Sequence, residues 1–73
     1  MRLSELAEKQ TAVIVSLHVP KEAAQHLRDR GFCEGEQVLC LKKAVLGSPI
    51  LYYIKETQMA LRSTDAAQIE VTL

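Results

Sequence analysis

Two cysteines, two histidines and nine carboxylates are the groups in this 73-residue chain best able to ligate a metal or move a proton. Cys33 and Cys40 fall in one run, RGFCEGEQVLC, which starts at Arg30 and places Glu34 and Glu36 between them. Thiolate beside carboxylate is a donor set that zinc or iron accepts. Structural zinc sites, however, bring cysteines as close pairs such as C-x2-C, with two more ligands nearby. Here six residues separate the pair, and His18 and His26 belong to an earlier segment. A site built on both cysteines is therefore not expected. Cys40 sits among apolar residues and reads as a small buried hydrophobe. Cys33, next to a turn, remains with Glu34 as a weak candidate for adventitious metal. No cofactor is implied. For catalysis the sequence offers no Ser/His/Asp set, no phosphate-cradling glycine loop and no paired carboxylates, so an enzyme is not expected.

The elements that position these residues can be read from the pattern. LSEL, near the start, suits one helical turn with Ser4 as its cap and Leu3 and Leu6 on one side. Thr11 to Leu17 is rich in β-branched residues and reads as a strand. Pro20 to Arg30 reads as a helix with a narrow stripe of Ala23, Ala24 and Leu27. Gly31 follows where a left-handed residue ends a helix, and Phe32 is expected to fold back on the stripe. Glu34-Gly35 is a turn, and Gln37 to Lys43 a strand. After the break at Leu46-Gly47-Ser48-Pro49 come strands Ile50 to Lys55 and Gln58 to Leu61, with Glu56-Thr57 as the hairpin turn. Ser63 is placed to cap a single turn through Ala66, and Gln68 to Thr72 closes the chain as a strand. Five short strands and one helix between the first two suggest a small, mainly β, partly open barrel.

Two strands carry apolar residues on both faces. Leu39 and Leu41 oppose Val38 and Cys40, while Leu51 and Tyr53 oppose Ile50, Tyr52 and Ile54. One face fills the barrel. The other either packs under the helix, whose narrow stripe cannot cover all of it, or stays exposed as an interface.

Composition sets further bounds. Nine basic residues balance nine acidic ones, and only Phe32, Tyr52 and Tyr53 are aromatic. Neither feature suits nucleic-acid binding, which wants an excess of Lys and Arg and stacking platforms. The N-terminal residues lack the apolar core of a signal peptide, and the longest apolar runs are far short of a membrane span. A cytoplasmic protein without membrane insertion is expected.

Read in order, LSEL, the β-branched strand, His26-Leu27-Arg28-Asp29-Arg30-Gly31-Phe32, Glu34-Gly35, Leu46-Gly47-x-Pro49, Ala60-Leu61-Arg62, Ala66, Ile69 and Val71 resemble the FeoA family over essentially the whole chain. The resemblance implies one domain, 1-73, folded as a five-stranded Src-homology-three-like barrel. Gly31, Phe32, Gly35, Leu61 and Ala66 would have structural roles. It also implies an accessory protein of ferrous iron uptake that binds the permease FeoB through its cytosolic GTP-binding domain and modulates transport. That partner would hold it at the inner face of the membrane. Leu46, Gly47, Ser48, Pro49, Leu51 and Tyr53 are the expected contact surface, which would serve a weak homo-oligomer equally well. The alternative is a metal-responsive module similar to the C-terminal domain of iron- and manganese-dependent repressors; Met1 stands directly before the first motif, which speaks against it. Several positions depart from the family pattern. Lys9 and Glu56 replace turn glycines, Arg30 replaces a leucine, and Glu34 and Val45 replace prolines. The change at Glu56 suggests a different hairpin turn, and Arg30 either narrows the helix stripe or lays its stem across it.

Overall fold

The computed structural model describes all 73 residues. A 3-10 turn at Leu3–Glu5 precedes β1 (Thr11–Leu17), α1 (Lys21–Asp29), β2 (Gln37–Lys43), β3 (Ile50–Ile54), β4 (Thr57–Leu61), a short α2 (Ser63–Ala66) and β5 (Ile69–Thr72). The strands form one antiparallel sheet in the order β4-β3-β2-β1-β5. This is the small mainly β fold, with one main helix between the first two strands, that the sequence predicts. No helix is long and apolar enough to cross a membrane.

The sheet curls around an aliphatic centre. Fifteen buried residues form one cluster, among them Leu3, Leu6, Ile14, Leu27, Phe32, Val38, Cys40, Leu61, Ala66 and Val71. Tyr52 lies in the middle with its ring edge-on to Phe32, centroids 6.1 Å apart. Its hydroxyl donates to the Leu3 carbonyl at 3.3 Å, so the one polar atom brought inside keeps a partner. Burial pushes the Tyr52 phenol above its ordinary range. In β1 the sheet buries Ala12 and Ile14 and turns Val13 and Val15 outward.

α1 ends as its sequence requires. Gly31 takes φ +100°, its N–H donates to Arg28, and the Phe32 N–H donates to Leu27. This is the paired-bond ending in which glycine occupies the left-handed position, and it aims Phe32 back into the core. Arg30 is exposed and adds nothing to the apolar stripe of α1, which stays narrow. Its Nη2 reaches out to the Ala60 carbonyl at 2.8 Å.

Three local expectations are corrected. Ser4 does not cap the first turn; the Glu5 carboxylate accepts the Arg2 N–H at 2.7 Å instead. Ser63 does not cap α2, for Arg62 precedes it and the Ser63 N–H goes elsewhere. The second hairpin turns at Lys55-Glu56, one residue earlier than predicted, with φ of 50° and 60°. Ile54 and Thr57 flank it as partners. Two positive φ values in a two-residue loop mark the turn type that usually takes glycine, so the substitution at Glu56 keeps the turn and strains it.

The chain ends meet. The Met1 ammonium donates to the Val71 carbonyl at 3.0 Å, and the Val71 N–H donates back to Met1 at 2.7 Å.

Candidate functional site

The β2–β3 connection is an ordered loop. The Gly47 N–H donates to Ala44 at 2.7 Å, closing a four-residue turn, and the Ala44 N–H donates to Pro49 at 3.1 Å. Gly47 adopts φ +87°, which a side chain would resist. The Ser48 Oγ accepts the Ser63 N–H at 3.0 Å and ties the loop to the start of α2. Ser48 therefore holds the loop. Val45 and Leu46 occupy the turn's centre, at 101% and 95% exposure. Two neighbouring apolar side chains thus stand in water at the tip of a fixed turn.

Behind the tip lies the outer face of the sheet. Leu51 is opposite Ala60 of β4 on one side and Lys42 of β2 on the other, after a bulge at Leu41. A groove of about 320 Å³ runs between them, lined by Lys42, Ala44, Pro49, Leu51 and Ala60. Ala44 and Pro49 are the two bases of the loop, so tip and groove form one continuous surface. Tyr53, 40% exposed, is opposite Leu39 and Gln58 and lines a separate depression with Leu39 and Thr11. Of the residues singled out by sequence, Leu46, Gly47, Ser48, Pro49 and Leu51 are brought together. Tyr53 shares their face and belongs to the neighbouring hollow.

Cys33, Cys40 and Glu34 are engaged in structural work. Cys40 is fully buried, and burial pushes its thiol up, which makes it a poor nucleophile and ligand. The Cys33 Sγ donates to the Arg28 carbonyl at 3.5 Å. Arg28 grips Glu34 with two prongs, Nε to Oε1 at 3.1 Å and Nη2 to Oε2 at 2.8 Å. Those bonds, helped by a backbone N–H, hold the Glu34 carboxyl down at about 2. Nowhere do three or more His, Cys, Asp or Glu side chains converge as a metal cluster.

One constellation escaped the sequence. Ser16 and His18 of the β1 end meet Glu70 of β5 beside the largest cavity, about 470 Å³, whose lining includes Arg2, Glu5 and Gln68. Ser16 Oγ and Glu70 Oε1 both lie 2.8 Å from the same His18 nitrogen, Nε2. A nucleophile relay needs the carboxylate and the hydroxyl on opposite ring nitrogens. This cluster clamps β1 to β5, and its bonds, His18 first and Ser16 next, lower the Glu70 carboxyl.

A family model described as FeoA domain matches residues 1–73. The chain is 37% identical over 73 residues to a Fe(2+) transport protein A/Fe(2+) transporter FeoB fusion protein of Porphyromonas gingivalis, and spans 9% of that much longer protein. It is 32% identical to a putative Fe(2+) transport protein A of Campylobacter jejuni, covering all of this chain and 99% of that one. Among solved structures, a zinc-complexed FeoA of Stenotrophomonas maltophilia, described as an SH3 domain protein, superposes with a TM-score of 0.79 at 36% identity. That superposition covers 97% of this chain and 88% of the other.

Proposed function

This chain belongs to the FeoA family of ferrous iron transport, and from that membership we propose that it is a cytoplasmic, non-enzymatic accessory module that docks on the cytosolic GTP-binding domain of a FeoB-type permease and modulates transport. The carrying observation is the fully exposed Val45-Leu46 tip, fixed by main-chain hydrogen bonds and continuous with the groove over Leu51. Water disfavours such a pair at a turn, and a preformed loop loses little entropy on docking. The Porphyromonas gingivalis relative supports the choice of partner, since its name joins the two proteins in one chain. A tether supplies a high effective concentration, so modest intrinsic affinity suffices for the pair.

Leu46→Asp tests the reading. A buried leucine anchor contributes about 1.5–3 kcal/mol, so the variant should bind the permease's cytosolic domain at least about tenfold more weakly. Its thermal midpoint should stay unchanged, because Leu46 touches nothing in the free protein. Unchanged binding together with unchanged melting removes the loop from the site.

A further inference from the structure

β4 is an edge strand with half its backbone unpaired. The two-residue turn makes Ile54–Thr57 a hydrogen-bonded pair, and antiparallel alternation makes Tyr52–Met59 and Ile50–Leu61 the next ones. The main-chain groups of Gln58 and Ala60 therefore face away from β3. No loop or turn backbone takes them up. The one contact there is the Arg30 guanidinium on the Ala60 carbonyl. Such an edge is a template for another strand.

Ala60 also borders the groove over Leu51. A residue paired opposite Ala60 would place its side chain on the groove side, about 4.5–5.5 Å from the alanine methyl. Alanine leaves it room to lean toward Leu51. Its neighbours in sequence would point to the other face, where Arg30 approaches from the end of α1. An incoming N–H would replace Arg30 on the Ala60 carbonyl and free the guanidinium for a carboxylate. Lys42 lines the groove's far side, and no carboxylate lines it at all. Two copies of β4 paired edge to edge would instead bring two Arg30 guanidinium groups, like charges, to one seam.

We propose that the β4 edge takes up, as a sixth strand, an extended segment of the permease's cytosolic part in which apolar residues facing the groove alternate with acidic residues facing Arg30. The segment's owner rests on the functional reading above; the chemistry of the edge does not.

Isotope-labelled protein titrated with the synthetic peptide acetyl-Glu-Val-Glu-Leu-Glu-Val-amide provides the test. The amide resonances of Gln58 and Ala60 should shift most and exchange more slowly with solvent. A peptide with lysine in place of each glutamate should bind at least about tenfold more weakly. Ala60→Pro removes only an outward N–H, a place where an edge strand tolerates proline, and should weaken binding of the acidic peptide to a similar degree. Arg30→Glu should do the same without altering β4, and serves should Ala60→Pro fail to fold. No shift at Gln58 and Ala60 up to millimolar peptide, equal binding of the two peptides, or unchanged binding by both variants overturns the proposal. The same variants are then tested with the permease's cytosolic domain. A domain that binds wild type and both variants alike also overturns the edge site, and leaves the functional reading standing. A domain that binds none of them, while the peptide binds as described, sinks the functional reading and upholds the edge as an acceptor of acidic strands.

Discussion

At Glu34 a single carboxylate ties the last turn of α1 to the turn that feeds β2. Arg28 holds it in the ionised form, and its folded-state value of about 2 lies below the ordinary 4.5. A group depressed on folding stabilises the protein above its unfolded value and loses that contribution as pH falls through the folded one. Glu34 should therefore add to stability at neutral pH and cease to do so between 4.5 and about 2. In denaturant titrations across that range, Glu34→Gln should be the less stable protein at neutral pH, and the two curves should converge near the acid end. A gap that stays constant with pH would mean that the Arg28–Glu34 pair is not the cause. Residues differ sharply in how far sequence reveals them. Cys40 is legible as a buried hydrophobe because it shares a strand face with Val38 inside an apolar run. The Ser16–His18–Glu70 clamp is not, because Glu70 lies 52 positions from His18 and only the β1–β5 pairing brings them together.

Elements with strong local chemistry are the ones that sequence places well. Gly31 marks the end of α1 because its φ of +100° suits glycine alone among common residues. The strand over Thr11–Leu17 is equally plain, yet its inward face is not. Val13 and Val15 are larger and more apolar than Ala12, and by hydrophobicity alone they would be placed inside. Ala12 and Ile14 instead join the buried cluster that Phe32 and Tyr52, far off in the chain, also enter. The β3–β4 turn falls one residue before the position its sequence suggests, since neither Lys55 nor Glu56 signals the positive φ that it adopts. An L-residue there is disfavoured by roughly 1–2 kcal/mol, partly offset by the extra chain entropy that glycine loses on folding. Glu56→Gly should thus raise stability by about 0.5–1 kcal/mol, read as a higher urea midpoint with an unchanged slope. A lower midpoint would show that the turn is relaxed as it stands.

On the scale of the whole molecule, stability rests on one aliphatic cluster with two aromatic rings at its centre. Every buried side-chain polar atom is satisfied within the protein. Reduced, chelator-treated protein should therefore keep its far-ultraviolet circular dichroism and a cooperative thermal transition. Loss of either on chelation would reveal a structural metal. The docking surface is less legible than the core, because exposure of Leu46 and continuity with the groove depend on where Pro49 and Ala60 come to rest. The pairing of Met1 with Val71 gives the fold a different kind of freedom. With its ends laced side by side, the polypeptide is almost a closed ring, and a bridge of a few residues would complete it. Where such a ring is cut matters little to the aliphatic cluster, so new ends could be opened at the exposed Lys55-Glu56 bend. The Leu46 tip and the groove behind it would then be carried, unbroken, on a circularly permuted chain.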